Sequence, residues 1–185
     1  MTEPDALPSA RRAELLELSY RYVLEHGLAD LSLRPLAAAV GSSPRVLLYL
    51  FGSKDGLVRA LLARARQDEL AALAAIPPGA GLAETVRELW EWLRAPEHRA
   101  LLTLWTEGYA RSLIDPDGPW AGFATTTVDD LLQVLAAARP DDGPGGRTDR
   151  TLALAVLRGA LLDLLATGDD ERTTAAVHTY AVRLG

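Results

Sequence analysis

Residues 32–54 carry three cations, Arg34, Arg45 and Lys54, and neither aspartate nor glutamate. A cation without an acidic neighbour in sequence is available to a phosphate oxygen, so this stretch suits contact with a phosphodiester backbone at a few points. The chain as a whole points the other way. Its formal net charge is -6, and residues 67–185 hold 18 acidic against 10 basic groups, a balance that repels nucleic acid. Any such contact must therefore be local. Groups suited to other chemistry are sparse. The absence of cysteine removes disulfides, thiolate zinc sites and cysteine nucleophiles together. His26, His98 and His178 are scattered, with no pair at metal-ligand spacing. Glu97 and His98 open one helical segment, and Asp169, Asp170 and Glu171 open another, where the helix dipole alone favours acids. No phosphate loop, serine elbow or kinase signature is present. The expectation is a protein that is not an enzyme, with no catalytic residue, no metal and no cofactor.

The elements that hold those cations must be helices. The 185 residues include 31 alanines and 35 leucines against ten valines and two isoleucines, a composition for an all-α fold. A first helix over 9–26 puts Leu15, Leu16, Leu18, Ser19, Tyr22 and Val23 in one arc and is ended by Gly27. Ser32 caps a second, which ends at Val40 before a turn at Gly41. Ser43 and Pro44 restart a third over 44–50, because proline in a first turn lacks only a donor that has no partner there. Ser53 caps a long fourth over 54–75. Two short helices joined by a glycine turn and flanked by longer ones form the helix-turn-helix pattern. Leu36, Ala37, Val40, Val46, Leu47 and Leu50 are its expected core, leaving Ser43, Pro44, Arg45 and Tyr49 outside. A plain helical hairpin inside a bundle is the alternative.

Residues 15–61 resemble the N-terminal DNA-binding domain of TetR-type (tetracycline-repressor-like) transcriptional regulators. The resemblance rests on Gly27, on Leu31-Ser32-Leu33-Arg34-Pro35-Leu36-Ala37, on Val40-Gly41-Ser42-Ser43, and above all on Tyr49-Leu50-Phe51-Gly52-Ser53-Lys54-Asp55-Gly56-Leu57. It implies that Ser32 and Lys54 hold phosphates on either side of the motif. It also implies that Arg34 reaches a base edge or phosphate, and that Ser43, Pro44 and Arg45 open the recognition helix. Residues at the start of such a helix are those that reach major-groove base edges. Arg45 alone among them can make a bidentate contact to guanine. The chain departs from the family at Leu48, where a tyrosine is common; Tyr49, one place on, is the candidate for that phosphate contact.

Pro77-Pro78-Gly79-Ala80-Gly81 interrupts the helical pattern. Further helices are expected over 82–93, 97–113, 119–138, 148–166 and 169–184, about nine in all. They are separated by Asp115-Pro116-Asp117-Gly118-Pro119 and by the glycine-rich stretch 140–146, read as a linker. The whole is a helix-turn-helix domain (1–60) joined through its long fourth helix to a helical regulatory domain (61–185). Trp90, Trp105, Tyr109, Trp120 and Phe123 cluster in the middle third and suit an apolar cavity, with Thr103, Thr106 or Glu107 as polar handles; ordinary aromatic core is the alternative. In the family such a cavity holds a small effector. The apolar repeat at Leu157, Leu161 and Leu164, with Val177, Tyr180, Ala181 and Leu184, marks the last two helices. The resemblance implies that these pair across a two-fold axis in a homodimer.

The expected protein is a repressor that binds a palindromic double-stranded DNA operator as a dimer and is released by a small-molecule effector. The alternative is a helical binding or adaptor protein that no longer reads DNA. The first five residues lack a basic segment followed by an apolar run, and the longest uncharged stretch, 70–83, is too short for a bilayer. The expectation is a cytoplasmic protein with no membrane contact.

Overall fold

The computed structural model describes residues 6–28, 31–75, 81–140 and 143–184. Among them are nine α-helices and no strand: α1 (Ala6–His26), α2 (Leu33–Ala39), α3 (Pro44–Phe51), α4 (Lys54–Ala74), α5 (Leu82–Arg94), α6 (Arg99–Ile114), α7 (Phe123–Ala138), α8 (Pro144–Thr167) and α9 (Asp170–Val182). A single 3₁₀ turn, Pro96–His98, leads into α6. The all-α fold expected from the composition is the one observed. The break expected around Pro77 and Pro78 lies outside the described residues.

The chain divides into two compact units, Met1–Gln67 with Thr103–Ala124, and Asp68–Leu102 with Thr125–Gly185. In the first, α1, α2 and α3 pack pairwise. Leu15, Leu36, Leu47, Leu57 and Leu61 are wholly or almost wholly buried, each burial favourable by about 2 kcal/mol. Tyr20 is also buried, although it lies outside the apolar arc of α1. The α2–α3 turn depends on Gly41, which takes a φ of +63° that a side chain would disfavour. There the Ser42 N–H donates to the Ala37 carbonyl at 2.8 Å. The Ser43 hydroxyl then accepts from the Val46 N–H at 3.3 Å, and Pro44 occupies the first turn of α3. The Ser53 hydroxyl accepts from the Gly56 N–H at 2.9 Å at the start of α4. Ser32 precedes α2 as expected, but its hydroxyl makes no capping bond.

In the second unit α5, α8 and α9 pack against one another. Val86, Leu89, Trp90, Leu135, Ala153, Leu157, Val177 and Ala181 form one buried cluster. The Trp90 indole N–H donates to the Thr174 hydroxyl at 2.9 Å, so its one polar atom is satisfied inside the core. The Arg94 guanidinium binds Asp170 and Glu91, joining the end of α5 to the start of α9. Hydrogen bonding to Arg94 holds the Asp170 carboxyl below its ordinary value.

Two helix starts differ from the sequence reading by four residues. α7 begins at Phe123 rather than at residue 119, because residues 119–122 form turns in which the Phe123 N–H donates to the Trp120 carbonyl. α8 begins at Pro144 rather than at residue 148, so Gly145 and Gly146 are helical and the expected linker is shorter. Proline at the first helical position starts the helix despite the two glycines that follow.

Candidate nucleic-acid interface

The interface is built on the eight residues of α3. Leu47 and Phe51 point into the first unit, and Leu50 is half-buried. At 100° per residue this leaves Arg45 and Tyr49, one turn apart, along the outward line. Arg45 is exposed, and Tyr49 is 79% exposed. Val46 (38%) and Leu48 (39%) flank that line on opposite sides and are also exposed. The expectation that Val46 belongs to the core is thereby corrected. The core of so short a helix is satisfied by Leu47 and Phe51, and Val46 falls beyond its edge.

Ser32, Arg34, Pro44 and Lys54 come together around one open depression that also includes Leu31, Leu33 and Pro35. Among the described residues no acidic side chain lines it. Arg34, Arg45 and Lys54 are all exposed, and no ion pair involving them is found among the described residues. Three segments position these groups: the start of α2 brings Ser32 and Arg34, the start of α3 brings Pro44, and the start of α4 brings Lys54. Ser43, Arg45 and Tyr49 continue the same surface along α3. The Ser43 hydroxyl also serves as the helix cap.

Sequence reasoning missed the group that fixes the far end of α3. Arg12 of α1 donates from Nε to the Leu50 carbonyl at 3.3 Å, and its guanidinium lies 4.9 Å from the Phe51 ring centroid. A cation at a helix C-terminus is favourable, and so is one over an aromatic face. Nothing in the local sequence marks Arg12, because its partners lie 38 residues away. Glu107, expected as a polar handle of a cavity, instead accepts the Leu28 N–H at 2.9 Å through Oε2. It thereby fastens the end of α1 to α6 within the first unit.

Residues 15–61 match the model of bacterial regulatory proteins of the tetR family. An HTH-type transcriptional repressor of Mycobacterium tuberculosis is 32% identical over 175 residues, covering 91% of this chain and 89% of the relative. The chain belongs to the TetR family of bacterial regulatory proteins. It is a TetR-family transcriptional regulator, from a family of regulators rather than enzymes. Among solved structures it is similar to the multidrug binding protein EbrR complexed with proflavin, with a TM-score of 0.73, 27% identity, and coverage of 95% of this chain and 99% of that one. It also shares its fold with a transcriptional regulator from Rhodococcus, with a TM-score of 0.79, 20% identity, and coverage of 94% and 95%.

The remaining candidate residues of this TetR-family regulator fall as follows. Trp90 lies in the second unit as a core residue, whereas Trp105, Tyr109, Trp120 and Phe123 lie in the first. The Trp105 and Tyr109 rings stack with centroids 5.2 Å apart, and Trp120 and Phe123 are buried. Leu157, Leu161, Leu164, Val177 and Ala181 are buried within the single chain, and Tyr180 and Leu184 pack half-buried against its core. The five buried side chains are covered by their own chain, while Tyr180 and Leu184 keep part of their surface open. α8 carries a further apolar stripe at Leu152, Ala155, Gly159, Leu162 and Ala166, and this one is exposed or nearly so along its length. Sequence periodicity alone does not distinguish the two stripes. No described helix is long and apolar enough to cross a membrane.

Proposed function

We propose that this protein is a cytoplasmic repressor that binds a two-fold symmetric DNA operator as a homodimer and is released from it by a small organic effector. The observation that carries the reading is the outward face of α3, with Arg45 and Tyr49 exposed beside a depression that bears Ser32, Arg34 and Lys54 and has no acidic group among its described lining residues. Arg45 reads a base edge, and Ser43 and Pro44 approach the bases with it. Ser32, Arg34, Tyr49 and Lys54 bind phosphates and set the register. Residues 1–60 are the reader and 61–185 the regulatory part.

A two-fold symmetric operator calls for two readers. The exposed stripe of α8, from Leu152 through Leu162 to Ala166, together with Val182 of α9, supports pairing with a second copy. Sedimentation at micromolar concentration should give a species of twice the chain mass, and Leu162→Glu should halve it without loss of helix. A monomeric wild type at that concentration contradicts the dimer.

The aromatic residues Trp105, Tyr109, Trp120 and Phe123 of the first unit are the proposed effector-binding groups, while Trp90 is buried core of the second. An effector that favours the state with wrongly spaced recognition helices lowers operator affinity by the same factor by which DNA lowers effector affinity. EbrR, described as a multidrug binding protein, supports a planar organic ligand, so proflavin is the first probe. Proflavin is expected to quench tryptophan fluorescence and release DNA, and Trp105→Ala is expected to weaken both effects. If both persist unchanged in that variant, the pocket lies elsewhere.

A further inference from the structure

We propose that Val46 reads the C5-methyl group of a thymine, within one or two base pairs of the guanine contacted by Arg45, so that each half-site of the operator contains both bases. The inference rests on the DNA-reading function proposed above and adds the chemistry of the sequence read. Val46 is the third residue of α3, in the turn that approaches base edges when a recognition helix enters the major groove. It is 38% exposed, well above the buried Leu47 and Phe51 of the same helix, so part of an apolar side chain faces outward beside Arg45. Valine is a modest helix former, and the exposed part of its isopropyl group gains nothing from burial in the chain's own fold.

The partner is identified by what surrounds it. Arg45 precedes Val46, and Arg34 and Lys54 border the depression beside the start of α3, so the surface complements a polyanion. In the major groove of DNA the one apolar group that a base pair presents is the thymine methyl. Adjacent side chains on a helix reach points separated by about one to two base-pair steps, which places the methyl close to the guanine read by Arg45. Leu48 is equally apolar, but it lies on the opposite flank of the Arg45–Tyr49 line. It therefore serves as an internal control.

The test uses a duplex enriched by the full-length protein from a random pool. Each thymine is replaced in turn by deoxyuridine, which keeps the base pair and removes only the methyl. Wild type should lose about four-fold in affinity at one position per half-site, and about fifteen-fold when both half-sites are changed. Val46→Ala should bind the thymine duplex as weakly as wild type binds the deoxyuridine duplex, and should no longer distinguish the two. Leu48→Ala should distinguish them fully. Both variants should still fold and melt cooperatively, since each residue is more than a third exposed and neither belongs to the buried core. An enriched duplex in which no thymine matters overturns the proposal while leaving sequence-specific DNA binding intact. So does sensitivity that disappears in Leu48→Ala rather than in Val46→Ala. A pool from which nothing is enriched overturns both this proposal and the DNA-reading function on which it rests.

Discussion

Arg45→Ala is expected to abolish preference for the operator while leaving weak, salt-sensitive binding to any duplex. Arg45 is the one side chain on the outward face of α3 that can donate two parallel hydrogen bonds to guanine O6 and N7. Losing such a pair should cost about 5- to 150-fold in affinity at each half-site, and the loss applies twice to a symmetric dimer. Phosphate contacts made by Arg34 and Lys54 would persist, because those cations stand on α2 and α4 and do not depend on Arg45 for support. Lys54→Ala supplies the contrast. It should weaken operator and unrelated duplexes alike and lower the slope of log affinity against log salt by about one unit per half-site. Anisotropy titrations of both variants at two salt concentrations separate the roles. An Arg45→Ala protein that keeps its sequence preference would remove Arg45 from the reading face.

The second large effect is structural, and its sign runs against general propensity. Glycine to alanine inside a helix ordinarily stabilises by about 1 kcal/mol. At Gly56, in the first turn of α4, an added Cβ would stand 2.0 Å from the carbonyl oxygen of Phe51, the last residue of α3. That atom is backbone, so relief requires the α3–α4 turn to open. Gly56→Ala should therefore destabilise by about 1–3 kcal/mol or more, and it should weaken operator binding because α3 and Lys54 are both positioned by this turn. Gly145→Ala, in the first turn of α8 with nothing within 4 Å of the added atom, should be neutral or slightly stabilising. Thermal melts of the two variants side by side decide the matter. Equal midpoints would mean that the α3–α4 turn tolerates a Cβ.

The helices of the reader are legible in the sequence because their ends carry residues with a mechanical role. Gly27 and Gly41 stop helices with positive φ, and the caps Ser43 and Ser53 bond as expected. Which side of each helix faces inward is less legible. In a helix of eight residues, Val46 and Leu50 both lie about a quarter-turn from the buried edge, and periodicity does not separate them. In α8 two apolar stripes run in parallel, and packing against α5 and α9 selects the one that includes Leu154, Leu157 and Leu164. The start of α8 is not legible because Gly145 and Gly146 have low helix propensity and make the stretch read as a linker. Arg12 and Glu107 bond to backbone groups far along the chain, at Leu50 and Leu28. Neither pairing has a local signature.

The reading of DNA sequence by α3 is tested most directly by enrichment from a pool of random duplexes, with wild type and Arg45→Ala carried through the same rounds. Wild type should enrich one two-fold symmetric motif with a guanine in each half-site. The variant should enrich no motif while still binding DNA at low salt. Failure of wild type to enrich any sequence, or recovery of the same motif by the variant, would contradict the assignment of α3 as the reader.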